Sequence, residues 1–173
     1  MGTKFTYALI LTIASAVFNL LLYFTGFQTE KLAVGQNLQW LGLVITIVVL
    51  SLGIKAVRED SPGKYMGYGK AVGTGVLISL FSGLMSSVYT FIHFKFVNTE
   101  FADYQMQIVH AQWEAKGMSA DQMEKAEGFA RAFMGPVAMS IMTPIFAVIG
   151  GLIISLILAI FLKRPAPEGT EAS

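Results

Sequence analysis

The sequence predicts an all-α fold: an integral membrane four-helix bundle with an extracytoplasmic amphipathic helical hairpin between the third and fourth spans. Three observations predict it. Residues 5–29, 32–54, 71–94 and 132–162 contain no Asp, Glu, Lys or Arg, although they make up 103 of the 173 residues. A soluble helix carries charge along its wet face and would not segregate it this way. Each stretch also supplies the roughly 20 apolar residues needed to cross a ~30 Å hydrocarbon core. Finally, 54% of the chain is hydrophobic and 13% charged, against about a quarter charged in soluble domains. We read residues 1–173 as one membrane domain.

The first span is placed at about 5–27. Lys4 before an apolar run imitates a signal peptide, but the run exceeds a 7–15-residue signal core and no A-x-A-like cleavage site follows. Asn19 is its one strongly polar residue, with Ser15 one turn earlier. A hydrogen bond from Asn19 to a neighbouring helix is the structural expectation; lining a polar path is the functional one. Residues 28–37 form a short turn, and the second span, at about 38–54, is rich in Val, Ile and Leu.

The loop that follows holds Lys55, Arg58, Lys64 and Lys70, with a turn signal at Ser61-Pro62-Gly63. Glycines at 67, 69, 73 and 75 match neither phosphate-loop spacing, and no strand precedes them. The third span, at about 71–94, repeats small residues every four positions at Gly75, Ser79, Gly83 and Ser87. The fourth, at about 137–162, does so at Ala147, Gly151, Ser155 and Ala159. Small residues let helix backbones approach closely in lipid, so the two stripes are expected to face each other. A homodimer seam is the alternative. Pro144 lacks a backbone N–H and should bend the fourth span.

Between these spans lies the hairpin, at about 99–134. Asn98 or Thr99 is the candidate cap of a first helix that ends at Gly117, and Ser119 with Gln122 forms a capping-box pattern for a second. Phe101, Tyr104, Ile108, Met123, Phe129 and Phe133 are expected to pack together, on the bundle or at the interface, with the acidic faces in water. Asp121–Lys125 and Glu127–Arg131 are candidate i,i+4 pairs. The tail at about 165–173 is expected to be disordered.

Seven of the twelve Lys and Arg residues flank the even-numbered end of this topology: Lys4, Lys55, Arg58, Lys64, Lys70, Lys163 and Arg164. The positive-inside rule then places both termini in the cytoplasm.

Candidate chemistry is sparse. There is no cysteine, and a net charge of +1 gives no reason to expect a nucleic-acid partner. His93 reads as an interfacial side chain. Asp103, His110 and Glu114 share one helix face, where a solvated acidic surface is expected rather than a metal site. No ionisable Asp, Glu, Lys or Arg lies within a span, which argues against an ion pathway. No catalytic motif is present. We therefore expect no enzyme activity, cofactor or metal, and the lipid bilayer as the principal partner, with a membrane protein or a second copy as further candidates.

Several segments carry a resemblance: Gly53-Ile-Lys-Ala-Val-Arg-Glu-Asp60, Gly67-Tyr-Gly-Lys-Ala71, Met118-Ser119 with Gln122, and the run from Gly151 to Lys163. Together they resemble a family of small bacterial four-span membrane proteins known as a domain of unknown function. The resemblance implies a bacterial inner-membrane home and brings no activity or functional residues. The leading functional expectation is a non-enzymatic scaffold or accessory subunit. The alternative is a small transporter or channel component for a neutral or apolar solute, whose mark would be a cavity lined by Asn19, Ser79, Ser82 or Ser86. A lipid-acting enzyme is a third reading, resting on Asp103, His110 and Glu114.

Overall fold

The computed structural model describes residues 2–166. Among them the chain forms α1 (Thr3–Phe24), α2 (Leu32–Glu59), α3 (Tyr68–Ile92), α4 (Phe101–Ala115), α5 (Ala120–Met134) and α6 (Pro136–Leu162). A 3-10 turn, Pro62–Lys64, precedes α3, and a π-helical turn, His93–Val97, follows it. Helices α1, α2, α6 and α3 with its π turn are long and apolar enough to cross a membrane. The protein is an all-α, multi-pass membrane protein. Residues 167–173 of the expected disordered tail lie outside the described residues.

The helix ends differ from the expected spans for a physical reason. Hydropathy marks only the part that must sit in hydrocarbon, whereas backbone hydrogen bonding carries on into water. Helix α2 has 28 residues, or about 42 Å at 1.5 Å per residue. It is therefore longer than a ~30 Å core requires, and its last turns carry Lys55, Arg58 and Glu59.

One end of the bundle is clasped. Met66 and Arg164 exchange two backbone hydrogen bonds of 2.7 and 2.8 Å. The Arg58 guanidinium donates to the Leu162 carbonyl at 3.1 Å, satisfying one acceptor that a helix C-terminus leaves open. The Thr3 hydroxyl donates to Asp60 at the same end. The N-terminus, the α2–α3 connection and the C-terminal flank are thus gathered together. We call this the clasped end and the other the hairpin end.

The α3–α6 pair forms the tightest seam. A Cβ on Gly75 would collide with the Ser155 hydroxyl, and one on Gly151 with the Ser79 hydroxyl. A Cβ on Gly83 would lie 2.8 Å from the Ala147 Cβ and from the Pro144 Cα. Each facing pair (75 with 155, 79 with 151, 83 with 147) sums to 230, so the helices run antiparallel in one register with glycine opposite serine or alanine. Ala71 and Ala159, both fully buried in one cluster, continue it. The stripes therefore meet within one chain. Close backbone approach needs no larger driving force than packing, because lipid offers the helices no hydrophobic incentive to associate.

Pro144 sits within α6, which runs unbroken from Pro136 to Leu162. Having no N–H, it leaves the Ser140 carbonyl without its helical donor. The Ser87 hydroxyl of α3 donates to that carbonyl at 2.7 Å. Ser87 thus repairs the backbone of the facing helix, as a membrane interior requires.

Toward the clasped end the interior is filled by Ala8, Leu11, Val49, Leu50 and Ile78, and by Ile54, Met66, Ala71 and Ala159. Ile154 and Leu158 of α6 pack against the first cluster. Helix α2 therefore touches α6 here. Farther out it does not close on α6, and a space opens between them.

At the hairpin end, α4 and α5 turn at Gly117, whose φ of +74° favours glycine. The Ser119 capping box is formed, with Gln122 Oε1 accepting from the Ser119 N–H at 2.9 Å. The cap of α4 differs from expectation. It is Glu100, without a side-chain bond; Asn98 is turned into the protein and is only 2% exposed.

Candidate functional site

Toward the hairpin end the bundle leaves a half-open chamber with charge-free walls, in two adjoining lobes of about 250 and 330 Å3. Ser15, Asn19, Thr90, Phe94 and Thr143 border both lobes. The deeper lobe adds Thr46, Ser79, Ser82 and Ser86. The outer lobe adds the aromatic rings of Phe18, Phe27 and Phe101, together with Gln28 and Gln39. Neither lobe is lined by Asp, Glu, Lys or Arg.

Helical geometry explains the polar wall. On α3, Ser79, Ser82, Ser86, Thr90 and His93 recur at intervals of three or four, so they share a face. On α1, Ser15 and Asn19 do the same. Small side chains at these positions cannot fill the gap between α2 and α6. Thr46 of α2 and Thr143 of α6 stand on opposite walls of it. Thr143 also donates to Thr90 at 3.3 Å, linking α6 to α3 across the chamber's edge.

A buried hydrogen-bond network closes the chamber beside the outer loop. Asn19 Nδ2 donates to the Ser15 carbonyl at 2.9 Å, which leaves Oδ1 to accept from Gln28 Nε2 at 2.8 Å. Gln28 Oε1 then accepts from His93 Nε2 at 2.9 Å. His93 Nδ1 lies 3.3 Å from the Tyr89 hydroxyl, which also reaches the Ala16 carbonyl at 3.2 Å. The π turn makes the last connection. Asn98 N–H closes a wide turn onto the His93 carbonyl at 2.7 Å, and its side chain donates to the Gln28 carbonyl at 3.2 Å. Such turns insert one residue into a helix and recur at functional sites.

His93 thus requires a correction. Expected at the interface, it is 1% exposed and bonded on both ring nitrogens. A ring at the end of an apolar helix can be buried if a loop covers it, and Gln28 does so. Asn19 is a partial correction: it bonds its own helix and the loop beyond, not a neighbouring helix.

The remaining candidates lie elsewhere. Gly75, Ser79, Gly83, Ser87, Ala147, Gly151, Ser155 and Ala159 are on the α3–α6 seam, although Ser79, Gly83 and Ala147 also border the deeper lobe. In the hairpin, Arg131 bonds Asp103 at 2.6 Å and Glu127 at 2.7 Å, and His110 lies 3.1 Å from Glu127. Ion pairs therefore link the two helices across the α4–α5 contact, while Glu100, Asp103, Glu114, Asp121 and Glu124 remain exposed to water as expected. Arg131 beside Glu127 holds its carboxyl below the usual glutamate range. Glu114 is exposed and takes no part. Asp121 and Lys125 form no ion pair, and no cluster of three metal-type ligands occurs, among the described residues. Phe129 is 71% exposed and touches Phe133 at 4.8 Å between ring centres; it does not pack on the bundle.

Sequence reasoning missed Gln28, Tyr89, His93 and Asn98 as a unit. Gln28 and His93 fall inside charge-free stretches, which was the available signal, but they are 65 positions apart.

Comparison with known proteins gives one result. Residues 6–164 match the model of a family described as a protein of unknown function, DUF4199. The chain belongs to that family. No curated protein and no solved structure matches it.

Proposed function

We propose that the protein is a non-enzymatic accessory subunit of a membrane assembly, and that its own contribution is to hold a small uncharged solute in the chamber. The observation that carries this is the composition of the chamber wall: hydroxyls, amides and aromatic rings without one acidic or basic side chain other than His93. Binding pockets pair an apolar lining with a few placed polar groups.

The chain has no cysteine, so single-cysteine variants report cleanly. Only a thiolate reacts readily with thiosulfonates, so a cysteine in a wet chamber reacts and one facing lipid does not. Ser86→Cys should be modified by methyl methanethiosulfonate much faster than Val88→Cys, which faces outward nearby. Equal, slow rates would remove the chamber as a binding space.

A second reading has its own observation. The exposed Phe129–Phe133 pair gives the hairpin an apolar ridge, suited to a membrane-protein partner, a second copy or the bilayer interface. Deleting 101–134 and comparing what co-purifies from native membranes tests it; unchanged partners would count against it. The orientation that accompanies both readings places the clasped end in the cytoplasm of a bacterium, at the inner membrane, and the hairpin outside. Glu124→Cys should then be labelled by an impermeant maleimide on intact cells, and Lys64→Cys should not.

A further inference from the structure

We infer that the chamber's ligand is a small aromatic molecule bearing a hydroxyl or amide group, held with its ring toward the hairpin end and its polar group toward the bundle centre. The inference rests on the chamber reading above and assigns the ligand class.

The two lobes differ in chemistry along the bundle axis. The outer lobe has four phenylalanine walls, Phe18, Phe27, Phe94 and Phe101. A ring set offset or edge-on against such rings gains more than its buried area alone supplies. The deeper lobe is bordered by Ser15, Thr46, Ser79, Ser82 and Ser86. Among these, the Ser79 hydroxyl is turned onto Gly151 in the α3–α6 seam, whereas Ser15 and Ser86 stand half-buried along the lobe. A hydroxyl or amide on a ligand would find donors and acceptors in these two side chains. The waist shared by the lobes carries Asn19, whose amide has a second N–H beyond the one given to Ser15.

This polarity is opposite to that of a membrane lipid. A phospholipid on the hairpin side would set its phosphate at the surface and its tails toward the midplane. Here the rings are at the surface side and the hydroxyls are deep, and no Lys or Arg lines either lobe to meet a phosphate. A sugar would leave the aromatic lobe unfilled, and a hydrocarbon would leave Ser15 and Asn19 unmatched. A ring with one polar substituent meets both lobes.

The test uses the full chain carrying Ser86→Cys in lipid nanodiscs, with 4-methylphenol, toluene and glycerol as probes. 4-Methylphenol should slow modification by methyl methanethiosulfonate in a saturable way. Toluene, lacking the hydroxyl, and glycerol, lacking the ring, should each need about tenfold higher concentration for the same effect. Adding Ser15→Ala should weaken protection by 4-methylphenol about fivefold. Phe94→Leu should also weaken protection, and its thermal melt checks that the bundle is intact. If Ser86→Cys is unreactive without any probe, the chamber itself fails and this inference with it. If it reacts but toluene or glycerol protects as well as 4-methylphenol, or none protects, the ligand class is wrong and the chamber stands.

Discussion

The two halves of the bundle use the same small residues to opposite ends. Toward the clasped end, glycine on α3 or α6 meets serine on the other helix, and backbones nearly touch. Toward the hairpin end, serine and threonine on the same two helices border open space. What separates the outcomes is helix α2. It leans on α6 beside Ile154 and Leu158 but stands off near Thr143. A small residue is therefore a packing device only where a third helix presses the pair together; elsewhere it makes room.

The largest expected effect attacks the closed half. Gly151→Val forces a side chain into Ser79 and should destabilise the protein by about 3 kcal/mol or more, read as a lower melting temperature in detergent. Gly150→Val, one position away with open space around it, should change little. Gly151→Ala should be partly rescued by Ser79→Gly, which removes the colliding hydroxymethyl group.

The open half should respond differently to bulk and to lost polarity. Ser86→Val adds volume to the chamber and should cost under about 1.5 kcal/mol. His93→Leu, in contrast, strands Gln28 and Tyr89 in a buried setting and should cost about 1–3 kcal/mol. If Ser86→Val proves as damaging as Gly151→Val, the contrast between halves is broken.

A subtler experiment sits at the boundary. Ser87→Ala should cost about 1 kcal/mol, because the Ser140 carbonyl then has no donor. In a Pro144→Ala background, where the backbone N–H returns, the same substitution should cost almost nothing. A double-mutant cycle reads the coupling directly.

The smallest effect concerns the hairpin and acid. The folded Glu127 carboxyl lies below its ordinary value because of Arg131. Its contribution is therefore present above the unfolded value and lost as pH falls through the folded one. Trp113, stacked on His110 at 5.6 Å, reports this contact in a Trp40→Phe background. Its fluorescence should change on the acid side of the usual carboxylate range, and Arg131→Gln should move that change to higher pH.

Charge segregation made the four long helices legible, since burying an ionised side chain in hydrocarbon is prohibitive whatever the tertiary fold. Ser119 with Gln122 was legible because a capping box is local. The chamber was legible only as a condition attached to Asn19, Ser79, Ser82 and Ser86. Its existence depends on the lean of α2, and no residue pattern within α2 records that angle. The network of Asn19, Gln28, Tyr89, His93 and Asn98 was hidden because its members come from separate segments, with Gln28 and His93 65 positions apart. Spacing identified the apolar pair Phe129 and Phe133, which pack on each other, but not what covers them.

The α3–α6 register carries a consequence for biosynthesis. Ser155 is 80 positions beyond Gly75, the residue it faces, so the seam cannot form until α6 has left the ribosome. Until then, α3 presents a grooved face of glycine and serine to lipid or to the insertion machinery. A chain cut short before α6 would keep that face uncovered, offering a membrane protease or chaperone a simple criterion for telling unfinished copies from finished ones.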